Sequence, residues 1–192
     1  MRHAILLSPL LLLGGCISFG ASPPPSLLTL EARTPVPVGQ AQGAGATVTI
    51  ASLSAPASLA TPRVPVQATA NSIAYVPDAQ WTEPPARLFA RLLGDTITAR
   101  TGRPALTNAP ALVDPGARLG GELRRFGLDS LTREAVVTFD AQLLRPGAAA
   151  LETRRFEARV ALGGEIDAAL AGATLNDAAN RVAAEVADWV GR

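Results

Sequence analysis

The chain has 192 residues, 48% of them hydrophobic and 17% charged, with a formal net charge of +1. That is the size of one ordinary domain, and its balanced charge carries neither a basic stripe for nucleic acid nor an acidic tail. All 17 basic residues are Arg, and the only His, His3, and the only Met, Met1, stand at the very start. The remainder therefore lacks the commonest general base, the amine nucleophile and most transition-metal ligands. Carboxylates, hydroxyls and Tyr75 remain, which suit a binding or structural component better than an enzyme; no cofactor and no metal are implied.

In chain order, the first feature is a leader. Arg2 and His3 precede the apolar run from Ala4 to Leu13, which ends in Leu13-Gly14-Gly15-Cys16. The layout is that of a secretory signal peptide, and its end resembles the bacterial lipobox. There a diacylglycerol is added to the thiol, the chain is cut before the cysteine, and the new amino terminus is acylated. The expected division is a signal peptide over 1–15, a lipidated Pro-rich tether over 16–26, and a single periplasmic domain over 27–192. The apolar run is shorter than the roughly 20 residues that span a bilayer. Two or more acyl chains would give stable anchoring.

Leu27 to Arg33 reads as a first strand, followed by a loose Pro/Gly/Ala-rich stretch over 34–46. Thr47 to Ile50 is β-branched and strand-like, and 51–62 is a poorly structured connection. Arg63–Ala68 and Ser72–Val76 form a hairpin turning at Thr69, Ala70 and Asn71. Pro62 and Pro65 place its first strand at an edge or at a bulge. A helix follows, with Thr82 as N-cap and Glu83, Pro84 and Pro85 in its first turn. Its apolar stripe is Leu88, Phe89, Leu92, Leu93, Thr96 and Ile97, and Gly102 and Pro104 end it.

Arg118 to Phe126 is a strand in which Gly120-Gly121 marks a bulge or a close contact. Glu134 to Leu144 alternates Ala135, Val137, Phe139, Ala141 and Leu143 against Glu134, Thr138, Asp140 and Gln142. Glu152 to Leu162 returns after the Pro146-Gly147 turn, giving an antiparallel meander with one wet face. A second helix opens at a capping box over Thr174–Asp177. It carries Leu175, Ala178, Ala179, Val182, Ala183, Val186, Trp189 and Val190 on one stripe. The fold class is α+β: a mixed, largely antiparallel sheet packed by two long helices.

The segment Ile73-Ala74-Tyr75-Val76-Pro77-Asp78-Ala79-Gln80-Trp81-Thr82-Glu83-Pro84-Pro85, with Leu88 to Leu93 after it, resembles the signature of the ABC-type transport auxiliary lipoproteins. That family includes the lipoprotein of the Pqi system. The order of elements agrees over nearly the whole mature chain. It departs at Leu27-Leu28-Thr29-Leu30, where the family often has a Tyr pair, and before Pro62, where the family tends to have Asp-Arg. The resemblance implies an adaptor or docking component of a system that moves lipid between membranes. Its partners would be a substrate-binding protein of the mammalian-cell-entry (MCE) type and an ABC permease/ATPase complex. It implies anchoring through Cys16 in the periplasmic leaflet of the outer membrane, since Ile17 rather than Asp follows the cysteine. A homo-oligomer is compatible with this reading. The alternative is a structural envelope lipoprotein that supports assembly of another complex.

Tyr75 and Trp81 flank the Pro77-Asp78 bend. They form either an exposed aromatic patch for the partner protein or, for Trp81, a packing staple ahead of the helix. Asp129, Ser130, Glu134 and Asp140 read as solvated surface groups rather than acid–base machinery. No Ser stands in a Gly-x-Ser-x-Gly elbow.

Overall fold

The computed structural model describes residues 26–36, 46–107 and 116–192. The expected leader, Cys16 and nearly all of the tether lie outside these residues. One seven-stranded mixed sheet is covered on one face by two helices, so the α+β class holds.

The middle of the sheet is a meander of β5 (Ala117–Asp129), β6 (Glu134–Leu144) and β7 (Glu152–Ala161), paired antiparallel throughout. The inward half of the expected alternation along β6 is realised, with Ala135, Val137, Phe139, Ala141 and Leu143 all buried; on the other face Thr138, expected to be wet, is buried as well, beside Val136. The other side of β5 is shared. β1 (Val48–Ile50) lies parallel to its start, and β2 (Arg63–Thr69) parallel to its end. Between them Ser54 bridges Glu122, so part of the stretch expected to be a loose connection completes the sheet; Ala57–Leu59 then forms a short 3₁₀ turn. β3 (Ser72–Gln80) pairs with β2 as the expected hairpin, and β4 (Ala105–Thr107), which the sequence reading missed, pairs with β1.

β5 contains one extra residue. Its register against β6 shifts between Leu123 and Arg125. Before this bulge the odd-numbered Leu119 and Leu123 face the core; after it the even-numbered Phe126 and Leu128 do. A one-residue insertion exchanges the faces of everything that follows. The Gly120-Gly121 pair is therefore not the bulge but the close contact. Gly121 has φ +145°, and a Cβ there would stand 2.1 Å from the Asp140 carbonyl oxygen.

The first helix, α1, is Pro85–Thr101. It begins later than expected, and Thr82 does not cap it. Pro85 forces the residue before it into extended backbone, so Pro84 (ψ 137°) becomes the boundary and Pro85 the first helical position. Gly102 ends it in the left-handed region as expected, its N–H donating to the Thr98 carbonyl. The second helix, α2, is Ala168–Val190 and starts earlier than the Thr174 capping box. The Asp167 carboxylate accepts from the Leu170 N–H at 2.7 Å and supplies the cap. Thr174 lies inside the helix and bonds back to the Leu170 carbonyl.

The core lies between α1, α2 and the sheet. Phe89 of α1 meets Phe139 of β6 edge-on at 5.4 Å, and Phe156 of β7 packs on Trp189 of α2. Leu27 to Arg33 is not a strand. Only Leu28 makes a β-bridge, to Trp81, and the segment then crosses onto α2.

Candidate functional site

Trp81 ends the hairpin and is 1% exposed, stacked edge-on against Phe126 at 5.4 Å. Its backbone N–H donates to the Pro62 carbonyl. The exposed pair of aromatic rings therefore does not form: Trp81 is a core residue, the second of the two readings. The reason is the register shift between Arg63 and Pro65, where β3 holds extra residues around Asp78 in the left-handed region (φ 56°). Tyr75 lies on the other side of that bulge and is half-buried. The Arg63 guanidinium sits 3.8 Å from its ring centroid, a cation–π contact.

Tyr75 pairs with Pro65, and the half-exposed Ile73 pairs with Gln67. Beside them runs a shallow cleft of about 80 Å³, lined by Leu59, Pro65, Gln67, Ile73, Arg125 and Phe126 among others. It is far smaller than the roughly 300–1,000 Å³ of small-molecule sites, so it offers a rim for a protein segment rather than an enclosure for a lipid.

The helix-free face of β5–β7 carries an arginine–carboxylate lattice. Asp140 accepts two bonds from Arg155, at 2.6 and 2.7 Å, across the β6–β7 ladder. Glu122 stands opposite Asp140 in register, a like-charge pair that would be unfavourable alone. Arg124, the residue at the bulge, reaches both, at 3.7 Å and 3.5 Å. Arg159 joins Glu157 at 2.8 Å and Glu134 at 3.1 Å. Thr138 donates to Glu157 at 2.8 Å. Hydrogen bonding from Arg155, with the nearby positive charge, holds the Asp140 carboxyl below its ordinary range despite some burial. Burial pushes Glu157 upward, but the bonds from Thr138 and Arg159 prevail and lower it.

Asp129 corrects the expectation of a solvated charge. It is 8% exposed and closes the β5–β6 turn, accepting from the Leu131 and Thr132 N–H groups at 3.0 and 3.2 Å and from Arg125 at 3.1 Å. Burial raises its pKa, and these donors together bring it below the ordinary value. Ser130 donates its hydroxyl to the Gln67 carbonyl at 2.8 Å, tying β2 to the same turn. Both residues are structural. Among the described residues, no three His, Cys, Asp or Glu side chains are grouped to hold a metal, and no helix is long and apolar enough to cross a membrane.

The sequence reading also missed Asn176 and Asn180 of α2. Asn180 is 5% exposed yet stands in an Ala-rich stripe; a polar residue at such a position was the available signal. The pair holds the N-terminal segment through its backbone: Glu31 N–H donates to Asn176 at 3.0 Å, Arg33 N–H to Asn180 at 2.8 Å, and Asn180 donates to the Glu31 carbonyl at 2.9 Å.

The fold is shared with solved structures. A Xanthomonas campestris protein of family-model DUF330 superposes with a TM-score of 0.71 at 18% identity, covering 85% of this chain and 93% of its own. A protein described only as uncharacterized gives 0.63 at 14%, covering 75% and 92%. PelC from Paraburkholderia phytofirmans, a dodecamer, gives 0.50 at 14%, covering 80% and 93%. No curated protein matches by sequence. The model of one family, however, matches residues 28–187, from the bridge at Leu28 through both helices and the whole meander. The chain belongs to the ABC-type transport auxiliary lipoprotein components.

Proposed function

We propose that this chain is a periplasm-facing adaptor, anchored through acylated Cys16 in the outer membrane, that docks onto an ABC/MCE-type lipid transport system. The observation that carries this is the order of two signals: a lipobox ending at Cys16 and, 12 residues later, the start of a transport-auxiliary domain. The family ties the domain to an ABC transport system and to the envelope. The lipid cargo, the MCE-type partner and the choice of membrane are our extension. A docking role, rather than carriage of lipid, fits a core filled by aromatic stacking and a shallow cleft on the hairpin face. In this reading Tyr75, braced by Arg63, is the partner-binding residue, and the buried Trp81 is no part of the docking surface. The dodecameric fold relative makes a homo-oligomer part of the proposal.

The test has two arms in intact cells. Cys16→Ser should abolish palmitate labelling and move the chain out of the membrane fraction. Tyr75→Ala should reduce crosslinked capture of the permease and MCE-type proteins about tenfold, as loss of a hot-spot contact does, with the melting temperature unchanged. Unlabelled wild type, or undiminished capture by Tyr75→Ala, would overturn the corresponding half.

A further inference from the structure

The hairpin that joins β6 to β7 has a tip unlike the other turns of the sheet. From Pro146 to Leu151 six consecutive residues are exposed, and not one carries a polar side chain. Exposed turns ordinarily use Asn, Asp and Ser beside Gly and Pro, because those side chains bond to the backbone or to water. Here Pro146-Gly147 is followed by Ala148-Ala149-Ala150-Leu151. The turn at the other end of β6 keeps to the rule: its Leu131, 65% exposed, stands alone between Ser130 and Thr132-Arg133. At the tip Leu151 is 52% exposed and Leu144 36%. Leu143 pairs with Glu152, so Leu144 and Leu151 occupy the next opposed position outward. A run of exposed apolar residues is unfavourable in water and marks a place where the surface meets something.

The tip is also held in place. Arg145, at its base, donates to Glu152 at 2.7 Å and to the Trp189 and Val190 carbonyls at the end of α2, at 3.0 and 3.3 Å. The Ala148 N–H closes the turn on the Arg145 carbonyl at 3.1 Å. A loop fixed at its base loses little further freedom on docking. Around it stand arginines without carboxylate partners. Arg118 is exposed and lies directly opposite Leu144 in the β5–β6 ladder. Arg154 is exposed three residues past Leu151, with its guanidinium over the Phe156 ring. Arg192 follows two residues after Val190, whose carbonyl takes both Arg145 and Arg103. The nearby carboxylates of Glu152 and Asp188 are taken by Arg145 and Arg100, and among the described residues Arg118, Arg154 and Arg192 make no ion pair. Farther along the sheet Arg124, Arg155 and Arg159 are each matched with carboxylates.

We propose that this tip is a second contact with the bilayer: Leu144, Leu151 and the alanines enter the headgroup region of an anionic membrane, and Arg118, Arg154 and Arg192 meet its phosphates. An apolar tip with a cationic rim is complementary to a surface that is apolar within and anionic at its boundary. Arginine suits the rim, because its stem lies along apolar groups while its guanidinium stays with the phosphates. The tip lacks the aromatic anchors by which a protein partner is held, and a lipid surface requires none. Two leucines and three alanines make a weak contact by themselves, so it rests on the proposed anchor at Cys16, which keeps the bilayer near. The contact sets which end of the domain faces the lipid. The Leu131 turn then stands roughly 35 Å away along β6. The β2–β3 hairpin, whose Gln67 pairs with Asp129 at that far end, is presented away from the membrane with Tyr75.

The experiment uses the full acylated chain in nanodiscs of brominated phosphatidylcholine, made with and without phosphatidylglycerol. A fluorescent dye is placed at Ala149→Cys or, as the far-end control, at Leu131→Cys. Acylation leaves Cys16 without a thiol, so wild type should take up no dye. In anionic discs the dye at position 149 should be quenched about fivefold more than the dye at position 131. Arg118→Gln/Arg154→Gln should lower that quenching to its level in neutral discs, and Leu144→Ser/Leu151→Ser should abolish it in both. All four positions are exposed, and the melting temperature should not change. Equal quenching at positions 149 and 131, or quenching that ignores both double variants, would overturn the contact. So would a dye signal that arises without lipid and grows with protein concentration, which would give the tip to a second copy of the chain. A chain that comes off the discs, or wild type that takes dye at Cys16, would overturn the anchor and this contact together. A chain that stays on the discs with both dyes bright would overturn the contact alone.

Discussion

The two faces of the β5–β7 meander are made from the same three strands and are held by different forces. On the helix side Phe139, Val137 and Phe156 are sealed under α1 and α2, with ring contacts at 5.4 and 5.6 Å. On the other side Arg124, Arg155 and Arg159 thread between Glu122, Glu134, Asp140 and Glu157. The contrast is not simply dry against wet. Val136 and Thr138 lie on the ionic side, yet they are 0% and 4% exposed. Arg159 stands opposite Val136 in the ladder with its guanidinium tied to Glu134 and Glu157, so its methylene stem lies beside the valine. The lattice acts as a polar roof over a strip of sheet. Apolar burial supplies stability on one face, and on the other the charges mainly fix geometry and leave a firm polar surface.

Substitutions graded by face test this contrast. The largest loss should come from Phe139→Ala, which removes the stack on Phe89 and leaves a cavity; about 4 kcal/mol is expected from chemical denaturation. Gly121→Ala should cost about 3 kcal/mol, combining an unfavourable φ with a clash against the Asp140 carbonyl. An unchanged melting temperature there would mean that the two strands are not pressed together at Gly121. Asp129→Ala should cost about 2 kcal/mol, because it strands the Leu131 and Thr132 N–H groups and the Arg125 charge.

Arg155→Ala, on the exposed lattice, should lower the melting temperature far less than Phe139→Ala, and the loss should shrink further in high salt. A loss as large as that of Phe139→Ala would erase the distinction between the faces. The smallest effect is one of pH. Asp140 and Glu157 have lowered pKa values in the folded chain. Their contribution is therefore complete above about pH 5, where the unfolded carboxyls are also ionised, and is lost progressively as pH falls through the unfolded and then the lowered folded values. Melting curves from pH 7 to 3 should show a shallower acid limb in Asp140→Asn than in wild type.

Legibility followed the range of the interaction that decides each feature. The alternation of β6, the Pro146-Gly147 turn, the Gly102 cap and the stripe of α1 rest on neighbours a few residues apart, and each was visible. The bulge in β5 was also present in the letters: Leu119 and Leu123 are odd, Phe126 and Leu128 even, and that change of parity requires one extra residue between them. The helix starts were misplaced for two different reasons, a backbone constraint at α1 and a second good cap at α2. Thr82 lost to the Pro84-Pro85 constraint, and Thr174 lost to Asp167.

The features that matter most for a binding surface depended on distant partners. Trp81 is an aromatic beside a turn whether buried or exposed, and only its placement on Phe126 settles the matter. Asp129 has the look of a loop charge until the turn folds its N–H groups around it. Asn180 gains meaning only because Arg33, 147 positions earlier in the chain, is laid across it.

By itself the sequence determined the α+β class, the two amphipathic helices, the alternating meander and the lipobox pattern at Cys16. All of these are written in local periodicity or short motifs. Only the tertiary structure decided that β1 and β2 share one side of β5, that Trp81 is core and Tyr75 surface, and that the N-terminal segment is a strap rather than a strand. Each of those outcomes is a pairing between residues far apart in the chain, and periodicity carries no address for the partner.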